Sequence, residues 1–444
     1  MKKDLTEGRI VSTMLLFAGP MILGNLLQQC YNIVDTLIVG KFLGQDALAA
    51  VGSAYTLMTF LTSIIIGLCM GSGAVFSLYF GRKQPEAMKR RMAAAFYLIA
   101  AVTLCINVLV LGANEQILRF LQVPAEVMPL MLSYVRVIYL GLMFTFLYNY
   151  FAFLLRALGN SITPLWFLGI AAVTNIVLDL LFVVVLRRGI AGAAEATVLS
   201  QAFSGVGLCI YALLREPDAA VFRFCPDRKS LAEILRFSST SCIQQSVMNL
   251  GILMIQGLVN SFGSVVMAGF AAAVKIDSFA YMPAQEFGNA YSLFISQNYG
   301  AGKTARVKQG TKAAFAVSAG FCLVISAAVW LLAPKLMMLF IDAASAGVIT
   351  VGAGYLRIEG AFYCGIGMLF LFYGYFRGAG QPEMSIVLTV ISLGLRVLLA
   401  YAFSPLPFAG VSAIWAAIPI GWAAADLTGF IKMRRDWKQM KIQG

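Results

Sequence analysis

The chain lacks histidine altogether and carries few charged residues. Of its 444 residues none is His, and only 12% are Asp, Glu, Lys or Arg. The missing imidazole excludes Ser-His-Asp and Cys-His catalysis, H-E-x-x-H metal sites and proton relays through histidine. Because a soluble protein typically has about a quarter of its residues charged, the low charge content also argues against a soluble protein.

Paired cysteines and a nucleotide-binding loop are missing as well. The eight cysteines are scattered and form no C-x-x-C pair, so we expect apolar packing residues rather than a disulfide framework or a metal site. The stretch "GAGKT" at 300–304 resembles the end of a P-loop, but Gln297 stands where the first glycine is required. The sequence therefore predicts no cofactor, no enzyme and no ATP-driven pump, and leaves an ion gradient as the energy source.

Long apolar segments recur along the chain. Hydrophobic residues make up 60% of the chain, its mean hydropathy is +0.84, and apolar runs of roughly 20 residues recur along its length. We therefore expect an all-α polytopic membrane protein, with the first run retained as a helix. Twelve predicted spans lie near 10–39, 47–79, 92–112, 127–152, 161–186, 189–214, 237–260, 265–297, 313–334, 351–375, 382–403 and 411–431.

The net charge of +13 raises the alternative of a nucleic-acid partner. With the N-terminus placed in the cytoplasm, the segments on the inside hold 24 Lys and Arg residues and the outside segments hold 5. This bias is typical of membrane topology and orients the chain with both termini in the cytoplasm. We therefore expect a multi-pass protein of the inner or plasma membrane with no nucleic-acid partner.

Polar motifs recur at a nearly constant interval. Gln28-Gln29 reappears as Gln244-Gln245, and "RALGN" at 156–160 is similar to "RGAGQ" at 377–381. Parallel repeats around a central site are a transporter architecture. The domains predicted from the repeat are an N-terminal six-helix bundle at 1–214, a cytoplasmic linker at 215–236 and a C-terminal six-helix bundle at 237–444.

The linker carries its own helix signal. Ser230 and Glu233 have the spacing of a capping box, which predicts that a helix begins at this point.

The first half places acids among polar side chains at helical spacing inside its predicted spans. Asp35 is the only charge in the 31 residues between Arg9 and Lys41. Polar side chains share a helix face with Asp35 on the first span and with a second acid on the fifth, and two polar residues four apart share a face of the sixth. These residues are Gln28, Asn32 and Asp35 with Tyr31 beside them, Asn175 and Asp179, and Thr197 and Gln201.

The second half does not repeat this pattern. Arg396 occupies the position equivalent to Asn175, and no carboxylate lies between Arg236 and Asp277. We therefore expect the cation-coupling site in the N-terminal half and a scaffold role for the other half.

An isolated carboxylate in hydrocarbon costs a few kcal/mol on insertion scales. It can be protonated, bind a cation, or be satisfied by hydrogen bonds between helices. Two acids with nearby amide and hydroxyl oxygens suit either H⁺ or Na⁺, so the coupling cation stays open, as does the purely structural alternative. No other metal is expected.

A central cavity between the halves is the predicted place for the substrate. Lys275, Asp277 and Glu286 make the eighth span polar, which favours either cavity lining or hydrogen bonding between helices. Pro20 in the first span is positioned to bend its helix. The substrate-cavity candidates are Gln28, Tyr31, Asn32, Gln201, Lys275, Glu286 and Arg396.

Four stretches resemble one known family. "GPMILGNLLQQCYNIVDTLIVGKFLG" (19–44), "NIVLDLLFV" (175–183), "GIAGAAEATVLSQ" (189–201) and "PAQEFGNAYSLFISQNYGAGKTARVKQG" (283–310) are similar to the multidrug and toxic compound extrusion (MATE) family, nearer its DinF-like branch. The resemblance covers nearly the whole chain. It implies two six-helix bundles in a V and cation-coupled antiport of small, often cationic and amphipathic, organic compounds.

The resemblance also implies roles for particular residues. Asp35, Asn175, Asp179 and Thr197 match the cation site of DinF-like relatives, and Pro20 matches a first-helix proline whose bending is linked to substrate release. The acid on the seventh helix that takes part in the NorM-like branch is missing here. Glu195 departs from the apolar residue usual in the "GAAxAT" motif.

The leading hypothesis is an H⁺- or Na⁺-driven exporter that works by alternating access, acts as a monomer and has small organic substrates and the lipid bilayer as its partners. A lipid-linked precursor flippase is the alternative, and it calls for a more basic cavity than Lys275 and Arg396 provide. An intramembrane enzyme is disfavoured because no nucleophile and base are arranged together.

Overall fold

A computed structural model describes residues 4–120, 123, 126–217, 226–406 and 410–442. Within these ranges the chain is almost entirely helical and contains no strand. A π-helical segment, Leu180–Val185, continues α7 directly. The helices are α1 (Ile10–Leu43), α2 (Gln45–Gly81), α3 (Pro85–Gly112), α4 (Asn114–Phe120), α5 (Met128–Leu140), α6 (Leu142–Ala157), α7 (Ile162–Asp179), α8 (Gly189–Arg215), α9 (Arg228–Asn260), α10 (Ser264–Gly300), α11 (Thr304–Met337), α12 (Ala346–Gly360), α13 (Tyr363–Gly378), α14 (Glu383–Phe403) and α15 (Gly410–Ile442).

The number of membrane-spanning segments agrees with the sequence prediction. In the described ranges, ten helices are long and apolar enough to cross a bilayer. Two further spans are bent pairs, α5 with α6 at 40° and α12 with α13 at 54°. Counting each pair as one span gives twelve, so the predicted all-α polytopic fold is confirmed.

The helices pack into two compact units. The first unit comprises Met1–Asp4 and Gly19–Cys242, and the second comprises Leu5–Ala18 and Ile243–Gly444. Helices α1 and α9 therefore each contribute residues to both units. The predicted division at 215–236 concerns homologous halves rather than packing, and it stays a prediction.

The first unit is built around α2. Most of the apolar part of this helix, 83%, is buried, and it packs against α3, α5 and α6. Gly71 lies so close to the backbone of Phe237 on α9 that a Cβ would collide with it. One residue further on, the hydroxyls of Ser72 and Ser238 are 2.8 Å apart. Small residues thus let α2 and the first turns of α9 approach closely, as is common between membrane helices.

Helix α9 begins three residues earlier than the capping box predicted, at Arg228 rather than at 231. Asp227 precedes its first residue, Arg228, and Asp227 Oδ1 accepts a hydrogen bond from the Ser230 backbone N–H at 2.6 Å. Glu233 turns away from the helix start and binds the Arg91 Nε at 2.6 Å and the Tyr79 hydroxyl at 3.1 Å. The predicted box at Ser230 and Glu233 is therefore wrong, because Asp227 supplies the cap and a cation on α3 attracts Glu233 more strongly than a backbone N–H does.

The second unit is built around α10 and α13. A Cβ at Gly374 would come 2.6 Å from the carbonyl oxygen of Gly288, so a glycine is needed where these helices meet. The chain before α1 docks on the end of α10, where the Leu5 N–H donates to Gln297 Oε1 at 3.1 Å and the Asn298 amide donates to the Leu5 carbonyl at 3.1 Å.

Candidate functional site

Three helices of the first unit bring the four predicted cation-site residues together. Asp35 comes from α1, Asn175 and Asp179 lie one turn apart on α7, and Thr197 comes from α8. Asn175 is 2% exposed and Asp179 is fully buried. The spacing of four residues places both α7 side chains on one face, as the sequence pattern predicted.

Asn175 and Thr197 join α7 to α8. The Asn175 amide nitrogen donates to the Thr197 hydroxyl at 3.4 Å, and that hydroxyl donates to the Ala193 carbonyl at 3.1 Å. The Thr197 hydroxyl hydrogen is therefore used within α8, and one N–H of the Asn175 amide is used between the two helices. The oxygen Oδ1 of Asn175 accepts nothing from any residue that the structure describes.

Asp35 and Asp179 place their carboxyl groups within hydrogen-bonding contact of each other. When both are ionised, neither can donate. Asp35 Oδ1 and both carboxyl oxygens of Asp179 are buried without a donor among the described residues. With Asn175 Oδ1, four buried acceptor oxygens therefore need a positive charge or a proton.

The helix changes its winding directly after Asp179. The π-helical segment carries a hydrogen bond from the Leu186 N–H to the Leu181 carbonyl at 2.8 Å, and π-helical turns are frequent at functional sites. Just after this segment, Arg188 forms an ion pair with Glu195 at 2.6 Å. This contact accounts for Glu195, which the sequence left unexplained: the acid pairs with the loop between α7 and α8.

Tyr134 is a neighbour of the carboxylates that the sequence did not single out. It lies on α5, is 7% exposed, and is close enough to Asp35, Asp179 and Tyr31 for their charges to act on its hydroxyl. Its one signal in the sequence is the similarity of "YVR" at 134–136 to "YLR" at 355–357, which by itself indicates shared scaffold.

The other polar residues predicted in the first half lie on α1 and α8. Tyr31 is half-buried and hydrogen-bonded to the exposed Gln28, and the Asn32 amide donates to Gln29 Oε1 at 3.4 Å. The Gln201 side chain lies against Gly141, at the break between α5 and α6.

The predicted cavity residues of the second half differ in burial. Lys275 is exposed, Glu286 is half-buried and accepts from the Asn289 amide at 3.3 Å, and Arg396 is buried with 9% exposure. They lie in a different unit from Asp35, so a shared role with the first-half residues stays a prediction.

Pro20 lies inside α1, which runs without interruption from Ile10 to Leu43. The proline ring removes the backbone N–H that would bond the carbonyl of Leu16. Pro20 is also the second residue of the part of α1 that belongs to the first unit. The predicted bending at this position stays a prediction.

Oxygen ligands dominate the site. No group of three or more His, Cys, Asp or Glu side chains that could hold a metal ion occurs in the described part of the chain. Two carboxylates with an amide and a hydroxyl oxygen instead suit a proton or a hard monovalent cation, since hard cations prefer oxygen ligands.

Comparison with known proteins identifies the class and then the family. Up to twelve membrane-spanning segments in the described residues define a polytopic membrane protein, and the family match below makes it a transporter. A solved structure described as "Outward-facing conformation of a multidrug resistance MATE family transporter of the MOP superfamily" matches at a TM-score of 0.92 and 24% identity, covering 98% of both chains. The family model MatE matches residues 20–181 and 239–402.

The chain therefore belongs to the MatE family, the multidrug and toxic compound extrusion family inferred from its motifs. Two relatives from Bacillus subtilis (strain 168) align along most of its length. "Probable multidrug resistance protein YpnP" is 32% identical over 99% of this chain and 98% of its own. "Probable multidrug resistance protein YoeA" is 26% identical over 97% of this chain and 95% of its own.

Proposed function

We propose that the protein is a secondary active exporter that exchanges small amphipathic or cationic organic compounds for H⁺ or Na⁺. The observation that carries this proposal is the pair of the half-buried Asp35 and the buried Asp179. Asp35 Oδ1 and both carboxyl oxygens of Asp179 are buried acceptors without a donor among the described residues. A pair of carboxylates in an apolar bundle has two states of different charge, and a coupling site needs such states.

The cation changes the free energy of this site in a definite direction. Two ionised carboxylates in contact repel each other, and burial makes the repulsion stronger. A proton on one of them supplies the missing donor, while Na⁺ at the pair neutralises part of the charge with Asn175 and Thr197 as further oxygen ligands. Cation-bound and cation-free forms therefore favour different packing of α1 against α7, which gives alternating access a driving force.

The substrate class rests on the relatives and on the polar α1 face. YpnP and YoeA are named for multidrug resistance. The aromatic ring of Tyr31 suits an organic cation, because cations bind over aromatic faces. The cavity residues in this proposal remain Gln28, Tyr31, Asn32, Gln201, Lys275, Glu286 and Arg396.

The membrane arrangement is also part of the proposal. We place both termini in the cytoplasm of a plasma or inner membrane, with a functional monomer built from homologous bundles at 1–214 and 237–444. Supporting observations are the bias of Lys and Arg in the sequence and the two matches to one family model at an interval of 219 residues. The four matching cation-site residues favour the DinF-like branch.

The direct test is transport by purified protein in proteoliposomes. A fluorescent organic cation should move against its own gradient when a pH gradient, a Na⁺ gradient or both are imposed. The cation that drives accumulation identifies the coupling ion. Accumulation that depends on neither gradient would overturn the antiport proposal.

The same experiment addresses the flippase alternative. A flippase would not accumulate the fluorescent organic cation. It would instead translocate a fluorescent lipid-linked precursor between leaflets. Both relatives named above are multidrug proteins, so they give no support to that alternative.

A further inference from the structure

The second unit contains a buried ionisable cluster of its own. Its acids are Asp277 on α10 and Glu359 on α12, which are 4% and 3% exposed. Its base is Arg396 on α14, at 9% exposure. We define this set, completed by three tyrosines, as the C-unit cluster: Asp277, Tyr281, Tyr355, Glu359, Tyr363 and Arg396.

The members of the cluster face one another across four helices. The Tyr355 hydroxyl donates to Asp277 Oδ2 at 3.4 Å. Tyr363, from α13, lies beside Asp277, and Arg396 is near enough to both carboxylates for its charge to act on them. Tyr281 faces the same two acids and Arg396. Helices α11 and α15 also pack against α12, and neither contributes a titratable side chain that acts on Glu359.

Several polar atoms of the cluster lack partners. Asp277 Oδ1, Glu359 Oε2, the Tyr363 hydroxyl and Arg396 Nε are buried and form no hydrogen bond with any described residue. Arg396 is thus a buried base that faces the acids without being fully engaged by them. A cluster whose charges were balanced would be expected to close these contacts, because leaving a buried charged group unpaired is costly.

The charge count of the cluster indicates what is missing. Two ionised carboxylates and one guanidinium leave one uncompensated negative charge. An uncompensated ion in a protein interior costs several kcal/mol. A proton on one carboxyl removes that charge and turns an acceptor into a donor for the other oxygens. Na⁺ is a poorer match, because the guanidinium already occupies the site as a cation and repels a second one.

We propose that the C-unit cluster is a second ion site that binds one proton, shared by Asp277 and Glu359 and held beside Arg396. The site brackets the 54° bend between α12 and α13, with Glu359 just before the bend and Tyr363 directly after it. This inference goes beyond the proposed function, because it concerns a proton bound in the second unit whatever compound is transported.

The test counts protonated carboxyl groups by their infrared C=O band in full-length protein at neutral pH. Difference spectra between variants cancel every acid outside the cluster. Glu359→Gln leaves one acid and one base, so the band should fall by one carboxylic-acid equivalent. Adding Arg396→Gln to that variant leaves Asp277 alone, and the band should return by one equivalent. Asp342→Asn, at an exposed acid of the same unit, is the matched control and should change nothing.

Asp277→Asn removes the other acid of the cluster and makes the same change in charge. It serves as the test if Glu359→Gln does not fold. An unchanged band in a folded single variant, or no return in the folded double variant, overturns the proposal, since a structural ion network would not follow the charge count. The wild-type protein gives an independent outcome: its band should be equal in NaCl and KCl, and a loss of the band in NaCl alone would identify a Na⁺ site instead.

Discussion

Asp35 and Asp179 lie in hydrogen-bonding contact although 144 positions separate them in the chain. One comes from the first membrane helix and the other from the last turn of α7. Asp35 Oδ1 and both carboxyl oxygens of Asp179 are buried and have no donor among the described residues. The pair therefore behaves as one unit with respect to a cation, and the predictions below follow from that contact and its surroundings.

Thr197→Val distinguishes between Na⁺ and H⁺ as the coupling ion. The valine has nearly the same shape and lacks the hydroxyl that receives the Asn175 amide at 3.4 Å. If Na⁺ is the coupling ion, loss of one oxygen ligand should weaken the apparent Na⁺ affinity by about tenfold, which corresponds to about 1.4 kcal/mol. If H⁺ is the coupling ion, the carboxylates still bind it, and the pH dependence of transport should change little. Transport rates measured against Na⁺ concentration and against pH check this, and Thr197→Ser, which keeps the hydroxyl, is the control.

Glu195→Gln should leave transport close to that of the wild type. The acid pairs with Arg188 at 2.6 Å, where the side chains are 26% and 50% exposed. A partly exposed ion pair contributes about 0–1 kcal/mol, so its loss should lower thermal stability only slightly. Initial rates of export and the unfolding temperature in detergent test this together. Loss of export in a folded Glu195→Gln variant would show that this acid takes part in coupling.

Gly71→Ala should destabilise the first unit. A Cβ at this position collides with the backbone of Phe237, and backbone cannot move aside as a side chain does. Overpacking of this kind costs about 1–3 kcal/mol. Gly169→Ala is the matched control, because no atom lies within 4 Å of an added Cβ there. Thermal unfolding in detergent should show a clear decrease for the first variant and none for the second; equal stability of the two would contradict the close approach of α2 and α9.

Asp227 gives the start of α9 a dependence on pH. The nearby Ser230 hydroxyl, together with the Ser230 backbone N–H that donates to Asp227 Oδ1 at 2.6 Å, lowers the pKa of the Asp227 carboxyl. A carboxyl whose pKa is lower in the folded state stabilises that state above its unfolded pKa of about 3.9. This contribution disappears as the pH falls through the folded value.

Unfolding temperatures across acidic pH test this cap. Asp227→Ala should lose about 0.5–2 kcal/mol at neutral pH. Asp227→Asn, which still caps the helix, should lose less and should lack the acid-dependent component. An Asp227→Asn variant with the same acid dependence as the wild type would assign that dependence to another group.

The number of spans was predictable from sequence, and so were the residues that meet at the candidate N-terminal site. Hydropathy gives the position of each span, because crossing a bilayer demands a length that few other segments have. Helical spacing pairs Asn175 with Asp179, and the family resemblance adds Asp35 and Thr197. What spacing cannot give is the helix against which a face packs, so the contact of Asp35 with Asp179 required the structure.

Other features carried too little local signal to be assembled from the sequence. Tyr134 and the C-unit cluster come from separate helices, with a single relevant residue on α5, α13 and α14. Asp227 was overlooked as a cap because Ser230 with Glu233 has the more familiar spacing, and the attraction of Arg91 for Glu233 is a tertiary contact. The passage of α1 and α9 from one unit to the other is equally invisible to periodicity, since each is one continuous helix.

The central claim, that the Asp35–Asp179 pair couples cation binding to export, is tested most directly by Asp35→Asn in proteoliposomes. Two processes are compared in the same vesicles: accumulation of an organic cation driven by a cation gradient, and exchange of labelled for unlabelled substrate without any gradient. The control is Asp46→Asn, at an exposed acid of the same unit. We predict that Asp35→Asn abolishes gradient-driven accumulation while exchange persists and the control behaves as the wild type. Gradient-driven accumulation at the wild-type level in Asp35→Asn would contradict the account.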